Sequence, residues 1–595
     1  MKIKIFNCVL ILTFAFTFCS CVSFQVHQKD AESPKIEKSE TDDFNFTEKS
    51  IQTSISQIRH SLKNDSLKAL WRSYVLLSSF SQDSDKTEIK AEVEELFSEC
   101  FTNEKNTMEQ LVKDENTIEI YSHYNTVSKI LLDCKKLSGF ENESFSSFID
   151  EFSEQAKLCE NKIFSENVAY VSGLSNSATP ANSANPTNKK SQNKISTAID
   201  GTVTVWVDLG VKLVNGRAFS NKAIGSAFFI DERGYLITNY HVISSEVDPK
   251  YEGVSRLYIK TSSNSEVKVP AKVIGYDSLL DIALLKTEIS PKYVFSLASS
   301  QDLEVGDEIY AIGSPVGLER TLTRGIVSAT DRQLFSIATV LQIDAALNQG
   351  NSGGPIVDSN LNVQGISFAG LLNYENLNFA IPVEYLKFDL PYLYCGEVKH
   401  SYIGAYGKTK KDEAGNNLGV EVLWLEKNGN ASKALLKVGD TITAVNGKTI
   451  KTLEQLHNAF VQIRPHSIVC LQVKNSLGEV SQIDVYTDNR SKSPLLDIFK
   501  NETISSSFLP LFGLELKRAS SVSKSKFTVQ SVVQGSIADE SGFSELDPIQ
   551  ILKTGVQTVQ DTTYIYSEVY SKKKLNGYLD AVMFLACPTD SENVF

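Results

Sequence analysis

The stretch "NQGNSGGP", Asn348 to Pro355, places one hydroxyl, that of Ser352, between two pairs that contain glycine. Gly, Asn, Ser and Pro gather in turns for conformational reasons, so one reading is a loop residue with no reaction to perform. The other is a nucleophile on a sharp turn. A serine hydroxyl is a weak nucleophile at neutral pH, so this second reading needs a base, and the base needs a third group to orient it. Between residues 195 and 390 there is a single histidine, His241, in "LITNYHVI". The acid is marked by its neighbours: Asp281 sits among Leu279, Leu280, Ile282, Ala283, Leu284 and Leu285. An unpaired buried carboxylate costs on the order of several kcal/mol. Asp281 therefore either finds a partner inside or caps a strand end with its side chain in water.

Three such groups need a rigid frame. From Ile195 to about Leu390, short apolar stretches alternate with turns, as in "TVTVWVDLG", "GSAFFIDERGYLITNYHVI" and "EIYAIGSPVG", which predicts an all-β body of barrel type. The order His241, Asp281, Ser352 is that of the chymotrypsin-like constellation, with base and acid on the first barrel and the nucleophile on the second.

The segments "TNYHV", "DIALLK", "AIGSPVGLERTLTRGIVSA", "QIDAALNQGNSGGPIVD" and "NFAIP" follow one another through most of residues 200 to 390. Together they resemble the HtrA/Deg family of extracytoplasmic serine proteases. The resemblance implies a chymotrypsin-like double β-barrel at residues 197–398 and a Ser-His-Asp acyl-enzyme mechanism. His241 would be general base toward Ser352 and then general acid toward the leaving amine, while Asp281 would hold its tautomer and stabilise the imidazolium. The backbone N–H groups of Gly350 and Ser352 would form the oxyanion hole, with Gly350 permitting the sharp backbone. Gly353 and Gly354 are expected to keep side chains out of the substrate's path. Tyr240 and Gln349 depart from the family, which most often has Asn and Pro there; neither position supplies a catalytic group. Ala346 stands where trypsin-like specificity puts an acid, so cleavage after small or medium aliphatic residues is expected. Ser314 to Arg324 matches the family's regulatory and activation loops.

Two further segments follow. "SYIGAYG", "GVEVLWL" and "NASKALLKVGDTITAVNGKTI" resemble a PDZ domain, assigned to residues 399–487. Asn446-Gly447 signals a tight hairpin, and Thr452 to Gln455 a capping box that opens a helix. The resemblance makes Tyr402, Ile403, Gly404 and Ala405 the loop that cradles a C-terminal carboxylate while the peptide adds a strand. After a linker at 488–506, residues 507–595 resemble a divergent second PDZ module. Its equivalent loop would be Phe512-Gly513-Leu514-Glu515, and peptide binding there is not expected.

Before the β body, residues 45–170 follow a helical period: Ile51, Ile55, Ile58 and Leu62 share one face, and Val93, Leu96, Phe97 and Cys100 another. This predicts an all-α domain with Trp71 and Tyr74 in its core. Residues 171–196 read as a flexible linker and 22–44 as a polar tether. Residues 1–21 carry two lysines and a long apolar run, the pattern of an export signal. Cys21 resembles the lipid-attachment cysteine of bacterial lipoproteins; plain cleavage and an uncleaved anchor remain open.

The formal charge of −13 over 595 residues argues against nucleic acid as the main partner. Nine cysteines show no metal-ligand spacing, and neither metal nor cofactor is expected. The reading is thus a multidomain, periplasmic, membrane-tethered endopeptidase for misfolded or unfolded envelope proteins, trimeric by resemblance. Two alternatives stand beside it. One is a latent protease that acts mainly as a chaperone or peptide-binding scaffold; the other is a site-specific regulatory protease switched on by a PDZ ligand.

Overall fold

A computed structural model describes residues 48–80, 87–136, 143–166, 198–214, 217–248, 255–261, 264–313, 321–370, 377–519, 524–559, 562–573 and 579–595. The expected signal with Cys21, the tether and the linker at 171–196 lie outside these residues, as does most of the expected activation loop.

The N-terminal domain is helical, with helices Glu48–Leu62, Ser66–Ser79, Thr87–Lys113, Thr117–Cys134 and Glu143–Asn161. Asp65 starts the second by accepting the Lys68 N–H at 2.9 Å, an N-cap that satisfies an otherwise orphaned donor. Ile51, Ile55, Ile58, Val93, Phe97 and Cys100 are buried as their spacing predicts. Trp71 is buried too, yet it stacks at 5.8 Å on Tyr486 of the first PDZ module. Lys68 pairs with Asp488, and Ser122 donates to the Pro465 carbonyl at 3.0 Å. The helices and that module therefore share one core.

The β body has two halves. The first is an antiparallel sheet of seven strands in the order Asn264–Pro270, Arg256–Thr261, Thr202–Val214, Arg217–Phe229, Tyr235–Thr238, Ile282–Lys286 and Lys272–Asp277. The second closes into a barrel in the order Thr339–Ile343, Asn378–Pro382, Val363–Gly370, Pro355–Val357, Glu308–Gly313 and Thr321–Gln333. Phe228, Ile237 and Leu284 from the first half pack in one cluster with Ile312, Ile366 and Ile381 from the second. This shared apolar core fixes the halves against each other, and the groove between them can keep its shape.

In the first PDZ module Asn446 and Gly447 both have positive φ, +48° and +79°, as the hairpin requires. The Thr452 hydroxyl accepts the Gln455 N–H and opens the helix Leu453–Phe460. Residues 488–506, expected to be a linker, are structured instead. Asp488–Asn489 pairs with Ser401–Tyr402, and the helices Pro494–Asn501 and Ile504–Phe512 bury Leu495, Ile498, Phe499 and Phe508. The short apolar spacings in "PLLDIFKN" and "ISSSFLPLF" drive this burial into the core of the second module. That module is a five-stranded antiparallel sheet from Leu514–Arg518 to Leu579–Pro588. Gly513 closes the preceding helix in the left-handed conformation and Glu515 is exposed.

Candidate active site

The strand Tyr235–Thr238 ends at Asn239, and a helix starts at Tyr240. His241 thus sits at the first turn of a short helix beside the sheet. Asp281 lies in the turn between strands Lys272–Asp277 and Ile282–Lys286, with a positive φ of +57°. Such a backbone angle is uncommon outside glycine and is held only where surrounding bonds over-determine it. Those bonds are present: Asn239 Nδ2 and the Tyr240 N–H both donate to the Asp281 carbonyl. The Asp281 carboxylate is buried and fully engaged. Oδ1 accepts the His241 N–H at 2.7 Å, and Oδ2 lies 2.7 Å from His241 Nδ1. A strand-end acid with its side chain in water is therefore not what the structure contains.

Burial alone would lower the His241 pKa, but the hydrogen bond and charge of Asp281 outweigh it, and the imidazole titrates above its ordinary 6.5. The bond at Nδ1 leaves Nε2 as the position able to accept a proton.

Ser352 occupies the turn before the strand Pro355–Val357, and Gly350 has φ +103°. The turn is strapped to the first half by Ser226, whose N–H donates to the Ser352 carbonyl and whose hydroxyl donates to the Gly350 carbonyl, both at 2.7 Å. Thr238, on the strand leading to His241, donates in turn to the Ser226 carbonyl at 2.7 Å. Among the described residues, the Gly350 and Ser352 N–H groups have no protein acceptor, which leaves both donors available to a developing oxyanion. Gly353 and Gly354 also have a reason within the frame itself. A Cβ on Gly353 would lie 2.2 Å from the Ser226 carbonyl oxygen, and one on Gly354 2.2 Å from that of Ile312. They permit close backbone approach there.

The Ser352 hydroxyl donates to the Phe368 carbonyl at 3.2 Å, and among the described residues no hydrogen bond joins it to His241. The Phe368 ring stands edge-on to the imidazole at 6.4 Å. Phe368 lines one groove with Tyr240, His241, Asp281, Phe335 and Ser336, and Pro588 and Asp590 from the end of the chain form another wall of it. Sequence reasoning missed Ser226, Phe368 and these two C-terminal residues. Ser226 reads as a small residue in a strand, Phe368 falls between two of the quoted motifs, and Pro588 and Asp590 lie far from them in sequence.

Of the other expected site residues, Tyr402 ends the strand Ser401–Tyr402, Ile403 and Gly404 make the turn, with Gly404 at φ +82°, and Ala405 opens the strand Ala405–Lys411. Tyr240 stacks on Tyr276 at 5.3 Å. Ala346 is exposed, and its carbonyl accepts from the Thr323 hydroxyl. The six cysteines of the described residues are free thiols.

Asp277, Asp389 and His400 bring ligand-type atoms within 4.8 Å of one another in a fully buried cluster. Protein groups already meet these carboxylates. His400 Nε2 lies 2.5 Å from Asp277, and Arg464 donates to Asp389 at 2.8 Å. The cluster joins the β body to the first PDZ module.

Residues 225–366 match the family model for a trypsin-like peptidase domain, 401–486 that for a PDZ domain, and 495–588 that for the TP0546 family PDZ domain. The helical domain lies outside all three. The chain is 32% identical over 282 residues to a probable periplasmic serine endoprotease DegP-like of Halomonas elongata, an overlap of 45% of this chain and 57% of that one. A protein of the same description from Chlamydia trachomatis is 31% identical over 274 residues, 44% of this chain and 53% of its own. Among solved structures, an HtrA-type protease AlgW with tripeptide is 26% identical, covering 50% of this chain and 96% of its own with a TM-score of 0.43. A serine endoprotease from Yersinia pestis is 26% identical, with 50% and 97% covered and a TM-score of 0.38. The chain spans a little over half the length of these two curated relatives, 57% and 53%. It carries a trypsin-like peptidase domain with PDZ domains behind it, and its homologues are named DegP-like serine endoproteases.

Proposed function

We propose that this chain, built on a trypsin-like peptidase domain, is an HtrA/DegP-like serine endopeptidase that hydrolyses unfolded or misfolded proteins in the periplasm. The observation that carries the reading is the His241–Asp281 pair, joined by two hydrogen bonds of 2.7 Å, with Phe368 touching both partners of the reaction: its ring stands edge-on to the imidazole and its carbonyl accepts from the Ser352 hydroxyl. His241 Nε2 takes the proton of the Ser352 hydroxyl as it attacks the scissile carbonyl, and returns it to the leaving amine. Asp281 holds the tautomer, and the Gly350 and Ser352 N–H groups receive the oxyanion; one such donor is worth about 2.7–4 kcal/mol. Water then releases the acyl group by the same base. The first PDZ module takes extended peptides through the Tyr402–Ala405 loop. Attachment to a membrane through lipidated Cys21, a homotrimeric assembly, and cleavage after small or medium aliphatic residues belong to the same proposal.

A phosphonate that reacts only with activated serines tests it. The label is expected on Ser352, and it should vanish in His241→Ala. Labelling that survives this change, or that falls on another serine, removes the assignment.

A second reading, a protease kept latent until a PDZ ligand arrives, rests on two observations. The Ser352 hydroxyl is engaged by the Phe368 carbonyl, and the groove carries a wall from the chain's own C-terminal residues. Catalytic hydrogen bonds often form only once substrate is bound. Peptide-dependent turnover would favour the second.

A further inference from the structure

After the strand Leu579–Pro588, the chain leaves the second PDZ module and runs onto the first. Its last residues lie antiparallel to the strand Ala405–Lys411, with Val594 opposite Tyr406. The Ala405 N–H donates to the Phe595 carbonyl oxygen at 3.0 Å, the Phe595 N–H donates back to Ala405 at 2.9 Å, and the Gly407 N–H donates to Asn593 at 2.9 Å. This is the pattern by which an extended peptide adds a strand to an exposed sheet edge.

The side chains follow. Phe595 is 2% exposed and meets Phe460 of the helix Leu453–Phe460 edge-on at 6.4 Å. Its ring comes so near the strand that a Cβ on Gly407 would lie 3.2 Å from it. His457, on the same helix, lies 2.5 Å from the Glu592 carbonyl oxygen. Residues 592–595 thus lie between that strand and that helix, reaching the loop assigned above to ligand capture. Upstream, Arg490 clamps Asp590 through two nitrogens at 2.7 and 2.9 Å, and Ser336 of the active-site groove donates to the same carboxylate.

We propose that residues 592–595 are an internal ligand of the first PDZ module, and that external extended peptides with a large apolar residue at the Phe595 position must displace them. The inference rests on the peptide-binding role proposed above for that module. A ligand tethered in its own site acts at an effective concentration of about millimolar and competes without any new contact.

The test uses the Ser352→Ala chain, so that no peptide is cut, and a fluorescein-labelled peptide with the sequence of residues 588–595. Its affinity is measured by anisotropy for the chain with and without residues 592–595, and for a full-length chain with Phe595→Ser should the shortened one not fold. Tighter binding to the altered chain, by at least about tenfold, is expected from the tethered competitor. Equal affinity for intact and altered chains, absence of binding included, overturns the inference. Hydrogen exchange on the intact chain is the second reading: slow exchange at Ala405 and Gly407 is expected, and fast exchange contradicts it. Phosphonate labelling of Ser352, measured separately, shows whether the peptidase reading stands when this one fails.

Discussion

His241 holds its proton more tightly than a free imidazole because Asp281 stabilises the charged form. A general base works only when neutral, so activity should fall as pH drops through a value above 6.5. A profile of kcat/KM against pH checks this, and an acid limb centred below that value would contradict it. In Asp281→Asn the tautomer is no longer fixed, and kcat should fall roughly ten-thousand-fold. Ser226 touches no substrate in this account; it positions the nucleophile turn through the Gly350 and Ser352 carbonyls. Ser226→Ala should cost about 0.5–1.5 kcal/mol of stability and lower kcat while leaving KM unchanged, the signature of a lost transition-state interaction. At this scale the sequence was legible where chemistry restricts the residue type. A lone histidine, an acid among leucines and a serine between glycines have few other uses together. Ser226 and the close approaches at Gly353 and Gly354 depend on what lies across the groove, which linear spacing does not carry.

Between elements, the decisive contacts are polar groups buried where domains meet. The Asp277 carboxyl, beside His400, is held down at about 2 against the pull of burial, while burial and the charge of Asp277 push Asp389 well above the usual carboxylate range. Asp389→Asn keeps an oxygen that can accept from Arg464 and should shift the unfolding transition less than loss of the Asp277 carboxylate. Asp277→Asn leaves His400 without its carboxylate and should cost about 3–5 kcal/mol, read from thermal melts of the two variants; equal losses would refute the assignment. The Asp277 contribution is present above the unfolded-state pKa and is lost only as pH falls toward about 2. None of this was visible in the sequence, because Asp277, Asp389, His400 and Arg464 belong to no common motif. The hairpin at Asn446-Gly447 and the cap at Thr452 were visible, since local backbone demands alone select those residues. Residues 488–506 were misread as a linker because their apolar positions come in two short runs separated by polar residues, and their burial partners lie in the following sheet.

On the scale of the whole molecule, the helical domain is bound to the first PDZ module rather than free of it, with Trp71 on Tyr486 at the join. Trp71→Ala should cost about 3–5 kcal/mol at that interface, and limited proteolysis should then cut the helices before the β body. If the helices stay protected, the join does not depend on this ring. The C-terminal residues close the circuit: they leave the second module, pair with the strand Ala405–Lys411 of the first and bring Asp590 to the active-site groove. Protease and binding modules are thereby coupled through packed contacts rather than through a flexible tether. All of these roles depend on Ser352 cutting peptide bonds, as proposed. The direct measurement is degradation of a reduced, unfolded model protein by the chain and by Ser352→Ala, each with and without added peptide of residues 588–595. The account predicts cleavage by the unsubstituted chain, increased by the peptide if the groove must first be emptied, and none by Ser352→Ala. Equal cleavage by both proteins, or none by either even with the peptide present, would contradict it.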